Sequence, residues 1–337
     1  MNDNNIKKDW CLVTADSRPK EMYKQDIKVM DCTVRDGGLM NKWQFSDEFV
    51  KGVYNACVEA GIDYMEIGYL SSEKAFSRAE MGPWKFCHQK DLERIVGKNE
   101  TSLKLSAMAD IGRIELDDIP MAADSALDMI RVACYVHQVD KAIALAHHCM
   151  DKGYETCINL MAVSTVGELE LDEALKDIAQ SRVKVFYAVD SFGSMYVESV
   201  QHLVRKYTAA LPGKEIGIHA HNNMQLAMSN TITALMEGCT MLDATLMGLG
   251  RGAGNCPIEI LIAFLKNPKY RLLPLLQVIQ DYIHPMQKEI DWGYHIPYLI
   301  SGALNAHPRK SMEWMDSEKK NDFVTFMKEM HDNEVLE

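Results

Sequence analysis

Eight short apolar runs recur along this chain, each followed by a stretch with helical spacing, and that alternation leaves few folds open. The runs are Lys28–Val34, Ile62–Tyr69, Leu103–Asp110, Met129–Tyr135, Thr156–Val163, Val183–Asp190, Glu215–Ala220 and Met241–Met247. Most are continuously apolar, as strands are when both faces of a parallel sheet are covered. In the helical stretches, Ser46 stands as an N-cap ahead of Asp47 and Glu48, and Phe49, Val53 and Cys57 recur on one face. Gly61 closes that segment, and Gly153 and Gly238 repeat the closing signal before later strands. Eight such units predict a (β/α)8 TIM barrel over residues 25–266. Barrels of this kind need about 250 residues. The 337 available therefore leave residues 267–337 as a C-terminal helical extension packing on the barrel. An open, doubly wound sheet is the alternative, weakened because no Gly-x-Gly-x-x-Gly follows the first strand.

A hydrophobic content of 47% supplies a large core, and a formal charge of -12 argues against nucleic acid or an anionic membrane as partner. Nine cysteines, an odd number without a Cys-x-x-Cys, fit reduced, mostly buried thiols and a cytoplasmic protein. The polar N-terminus, Met1 to Trp10, lacks the apolar stretch of a signal peptide. No run approaches the ~18 apolar residues of a membrane span.

If the chain is a barrel, residues just after each strand share one mouth, where such folds keep their chemistry. His219 and His221 end the seventh run two residues apart, so on a strand both imidazoles face one point. Alone, such a pair is as readily two polar residues at a strand end. Arg35 and Asp36 follow the first run: the arginine can grip a carboxylate or enolate oxygen, and the aspartate offers a hard oxygen ligand. Gly37 and Gly38 would let backbone approach a substrate closely. After the eighth run, Gly248 to Asn255 form a glycine-rich turn compatible with an anion nest, though without the Gly-Lys-Ser/Thr of a P-loop. Asp36, His219 and His221 together would hold a divalent metal with positions open for a 2-oxo acid. Oxygen and imidazole donors without thiolate favour Mn or Mg, with Co or Zn in the same range.

Asp31-Cys-Thr-Val-Arg-Asp-Gly-Gly, His219-Ala-His-Asn and Gly250-Arg-Gly-Ala-Gly-Asn255 resemble the DRE-TIM metallolyase superfamily. That group includes 3-hydroxy-3-methylglutaryl-CoA lyase, the isopropylmalate and homocitrate synthases and the 4-hydroxy-2-oxovalerate aldolases. The last branch is the nearest in pattern, over about residues 28–305. The resemblance implies a metal-dependent aldolase or lyase that handles a 2-oxo acid, with or without an aldehyde, through a pyruvate-type enolate. It makes Asp36, His219 and His221 the metal ligands, Asn255 a further ligand, and Arg35 the group that holds substrate and stabilises the enolate. It also places Tyr294 or Tyr298 over the site, and implies a homodimer and an aldehyde dehydrogenase partner. A related branch reads Asp-Gly-Gly-x-x-Asn-x-Trp-x-Phe, here ending in Asn41, Trp43 and Phe45, which leaves Asn41 either a turn residue or a substrate contact and makes the aromatics packing. One position departs from the aldolase pattern. Leu39 stands where the aldolases carry a histidine base, so His295, Tyr294 or a metal-bound hydroxide would have to take a 4-hydroxyl proton, or the reaction differs. The alternatives are a Claisen-type acyl-CoA condensing enzyme and a non-catalytic binding module that keeps the fold.

Overall fold

Eight parallel strands pair in chain order and close on themselves in the computed structural model, which describes residues 26–334. They are β1 (Lys28–Asp31), β2 (Tyr64–Tyr69), β3 (Lys104–Asp110), β4 (Met129–Cys134), β5 (Glu155–Leu160), β6 (Val185–Asp190), β7 (Glu215–Ala220) and β8 (Met241–Ala244). β8 pairs with β1, so the sheet is a closed barrel and the open-sheet alternative falls. Four expected strands ran too far at their C-terminal ends, to Val34, Tyr135, Val163 and Met247. Val34 and Val163 stay apolar because they pack in the core after the chain has left the sheet, so hydrophobicity does not mark where pairing stops.

The helices are α1 (Thr33–Asn41) and α2 (Asp47–Ala60) after β1, α3 (Gln89–Val96) after β2 and α4 (Val139–Asp151) after β4. Then come α5 (Glu168–Gln180), α6 (Val197–Ala210), α7 (Ala227–Met236) and α8 (Ile258–Leu265), one after each remaining strand. Between β3 and β4 there are only two 3-10 turns, in a segment interrupted by Pro120 and rich in aspartate. The Ser46 side chain accepts the Phe49 amide at 3.2 Å, and Gly61 caps α2 in the left-handed region with φ 73°, as its sequence signals require.

Two apolar layers follow from strand alternation. One lies between the sheet and its helices and includes Val29, Ile67, Leu105 and Ile158. The other fills the barrel with Met30, Tyr64, Met129, Cys157, Tyr187 and Met241. Gly217 is glycine because Tyr187 crosses the interior: a β-carbon there would stand 2.5 Å from the ring.

Residues beyond α8 fold back on the barrel as α9 (Leu272–Val278), a π turn (Ile279–Ile283), α10 (His284–Met286), α11 (Ile296–Ala303), α12 (Arg309–Met315) and α13 (Phe323–Glu334). The Tyr270 hydroxyl reaches Asp63 at 2.7 Å, and Trp292 Nε1 donates to the Met247 carbonyl at 3.1 Å. Asn305 Oδ1 accepts from Ser164 at 2.7 Å and from Ser194 at 2.6 Å, clamping the segment before α12 to the loops after β5 and β6. Among the described residues no helix is long and apolar enough to cross a membrane. The N-terminal stretch Met1–Trp10 lies outside the described residues.

Candidate active site

The chain enters a helix two residues after β1, before the expected strand end at Val34. The Thr33 hydroxyl donates to Asp31 at 2.6 Å and accepts the Leu246 amide at 2.9 Å, which pins the start of α1 to the end of β8. Arg35 and Asp36 therefore sit in a rigid first helical turn. Gly37 and Gly38, expected to let backbone approach a substrate closely, have protein side chains in the space of their missing β-carbons. A β-carbon on Gly37 would stand 2.8 Å from Leu249, and one on Gly38 would stand 2.0 Å from the Trp43 indole. Trp43 Nε1 in turn donates to the Arg35 carbonyl at 2.9 Å. Asn41 ends α1, and its Nδ2 donates to the Gln44 carbonyl at 3.3 Å, away from the cavity lining.

At the end of β7, donor atoms of Asp36, His219 and His221 all lie within 4.8 Å of one another, and all three residues are buried. Nδ1 of His219 lies 3.0 Å from Asp243 Oδ2. A proton donated there leaves Nε2 as a free lone pair. That Nε2 is buried and has no hydrogen-bond partner among the described residues, and neither has Asn255 Oδ1. Asn255 Nδ2 donates to the Asp36 carboxylate. Two orphaned acceptors beside one carboxylate and a second imidazole fit a divalent metal held by nitrogen and oxygen. Burial would raise the Asp36 carboxyl, yet the Arg35 guanidinium and the hydrogen bond from Asn255 hold it well below the usual carboxylate range. Burial pushes His221 well below the usual imidazole value, so it stands neutral at pH 7 and able to ligate. Cys32, His219 and Asp243 form a second close trio. It suits a metal less well, because burial drives the Cys32 thiol far up and Asp243 is already engaged by Arg131.

Behind these ligands runs a buried chain of charges whose role the sequence did not disclose. Arg35 Nε donates to Glu66 at 2.6 Å and its Nη1 to Asp36 at 2.7 Å. Arg131 joins Glu66 at 3.0 Å to Asp243 at 2.6 Å, and Asp243 meets His219. Burial alone would raise Asp243, but Arg131 and His219 hold it down at about 2. Glu66, Arg131 and Asp243 are lone charges at inward positions of β2, β4 and β8. That placement was the available signal, since an ionised group inside a barrel must be paired.

The mouth is a cavity of about 610 Å³ whose wall includes Arg35, Asp36, His219, His221 and Leu39. His307, just before α12, and Arg309 and Met312 in its first turn also line it, as do Tyr69 and Arg251. Burial, then the charges of Arg251 and Arg309, bring His307 down to about 4. Tyr294, His295 and Tyr298 do not line this cavity. Tyr294 is exposed, His295 bonds Asp291 at 2.9 Å, and Tyr298 is buried against the Gly252 turn. The extension reaches the mouth one helix later than expected, because Asn305 ties residues just before α12 to the β5 and β6 loops.

The family model described as HMGL-like matches residues 26–280. A 4-hydroxy-2-oxovalerate aldolase from Pelotomaculum thermopropionicum is 32% identical over 256 residues, 76% of this chain and 75% of that protein. An oxaloacetate decarboxylase from Mycobacterium tuberculosis is 33% identical over 242 residues, 71% of this chain and 70% of the relative. The crystal structure of an N-terminal domain from Bacteroides vulgatus superposes with a TM-score of 0.76 at 30% identity, over 88% of this chain and all of that one. With a barrel, a buried metal-fitting trio and these relatives in agreement, the chain belongs to the HMGL-like family and is a metal-dependent carbon–carbon lyase.

Proposed function

We propose that the enzyme breaks or forms the C3–C4 bond of a 2-oxo acid through a pyruvate-type enolate at the barrel mouth. The observation that carries this reading is the convergence of Arg35 on the same cavity wall as Asp36, His219 and His221. Those three, with Asn255 beside them, would hold the divalent ion, Mn or Mg being the best match to the donors, and once bound it supplies Lewis-acid polarisation of the 2-oxo group. Arg35 has Nε and Nη1 fixed by Glu66 and Asp36, which leaves Nη2 to bind the oxygen where negative charge develops. Asp243 holds the His219 ring in one orientation. The start of α12 covers the mouth and limits water around the enolate. As the C3–C4 bond breaks, its electron pair moves onto the pyruvyl fragment, and C3 then takes up a proton.

Leu39 favours a particular leaving fragment. An aldehyde can depart only if a base removes the 4-hydroxyl proton, and the Leu39 side chain in the cavity wall cannot accept one. Loss of CO2 from a carboxylate on C3 needs no such base, and one of the relatives is named for that reaction. Pairing with an aldehyde dehydrogenase belongs only to the aldehyde-forming version. We also propose that residues 25–266 are the catalytic barrel and 267–337 an extension resting on it. Among the described residues eight cysteines are buried and outside any disulfide, which accords with residence in the cytoplasm. The test is deuterium incorporation from D2O into the pyruvate methyl group, read by mass spectrometry with Mn or Mg present. Exchange by the wild type and its loss in Arg35→Ala and His219→Ala are expected. A folded wild type that exchanges nothing with either metal contradicts the reading.

A further inference from the structure

The arginines that line the mouth differ in what neutralises them. Arg35 is engaged by Asp36 and Glu66, and Arg113 by Asp110 at 2.9 Å. Arg251 has no carboxylate within ion-pair distance among the described residues. Its Nη2 donates to the Ser191 carbonyl at 2.8 Å, and its Nε is buried with no partner. Arg309 also has no ion pair among the described residues, but it lies exposed at the start of α12. A guanidinium keeps its proton at any working pH, so Arg251 is a standing cation in the cavity wall.

Its position is fixed by the turn that presents Asn255. The Gly254 amide donates to the Arg251 carbonyl at 3.0 Å, and the Asn255 amide to the Gly248 carbonyl at 3.0 Å. Gly250, one residue earlier, lies so close to Asp36 that a β-carbon would stand 2.6 Å from its carboxylate. Arg251 is thus held at a set place relative to the metal-fitting trio, with most of its N–H groups free.

Resting on the enolate reading above, we propose that Arg251 binds a second carboxylate of the substrate, on the C4 side of the bond that breaks. The enzyme's substrates are then 2-oxo dicarboxylates. The 2-oxo carboxylate end belongs to Arg35 and the metal trio, and Arg251, a half-buried mouth arginine that no carboxylate of the described residues neutralises, matches one further carboxylate. Two kinds of molecule carry that group. In oxaloacetate it departs as CO2, and in 4-hydroxy-2-oxoglutarate it stays on the aldehyde fragment.

Two five-carbon inhibitors of pyruvate methyl exchange separate charge from size: 2-oxoglutarate carries the second carboxylate and 2-oxopentanoate does not. A charge-assisted contact predicts that 2-oxoglutarate binds roughly 10- to 100-fold more tightly to the wild type. Arg251→Gln should collapse that ratio toward one, and Arg251→Lys should restore part of it. Equal inhibition constants in the wild type, or a ratio that survives Arg251→Gln, overturn the assignment, and the wild-type ratio decides the matter even if the variants fail to fold. Absence of pyruvate exchange would instead strike the enolate reading itself. Turnover of oxaloacetate against 4-hydroxy-2-oxoglutarate then shows which carboxylate source is used.

Discussion

Asp243→Asn tests the link between the buried charge chain and the metal site. Asp243 is fully buried and has two partners, Arg131 Nη2 at 2.6 Å and His219 Nδ1 at 3.0 Å. Asparagine keeps the shape and one acceptor oxygen but removes the charge. On the metal side, an imidazole loses the carboxylate that orients it, a change that lowers metal affinity about 10- to 100-fold. That range corresponds to about 1.4–2.7 kcal/mol. On the folding side, removing one member of a buried pair costs about 3–5 kcal/mol when the other is left alone. Arg131 is not left alone, because Glu66 Oε2 stays 3.0 Å away. The loss of stability should therefore fall at or below the lower end of that range. Calorimetric titration with Mn on folded protein gives the first quantity, and urea unfolding without metal gives the second. A variant that unfolds cooperatively and binds Mn as tightly as the wild type would show that Asp243 does not set the His219 ring.

Two further outcomes follow from the geometry. Gly250→Ala puts a β-carbon 2.2 Å from Asn255 Nδ2 and 2.6 Å from Asp36 Oδ2, so pyruvate exchange should fall by about 100-fold, as a misplaced ligand group predicts; exchange within twofold of wild type would refute the close packing. Burial raises the Asp31 carboxyl to about 7, although Thr33 donates to it, so its protonated form stabilises the fold below about pH 4 and that contribution disappears as pH rises through about 7. The stability of the wild type relative to Asp31→Asn should then drop by roughly 2–3 kcal/mol between pH 5 and pH 8 in urea unfolding, and parallel pH profiles would count against it.

Strand order was legible because parallel strands buried on both faces write themselves as apolar runs, while strand ends were not, since Val34 and Val163 remain apolar for packing. The histidine pair was legible from alternation along a single strand. Gly37 and Gly38 read as glycines for substrate approach because what fills their missing β-carbons, Leu249 and Trp43, arrives only with tertiary packing. Glu66, Arg131 and Asp243 escaped notice because each sits alone in a different strand, and only closure of the barrel turns three isolated charges into one chain. The wrong part of the extension was expected over the mouth for the same reason. The Asn305 clamp to Ser164 and Ser194 spans more than a hundred residues of sequence, so no local signal announces it.

The most direct measurement is anomalous diffraction at the manganese edge from crystals grown with Mn and oxalate, a stand-in for the pyruvate enolate. The account predicts one peak bonded to Asp36, His219 Nε2 and His221 at about 2.0–2.3 Å, with oxalate against Arg35. A peak between Cys32, His219 and Asp243, or one that leaves either histidine of the pair unbonded, would contradict it.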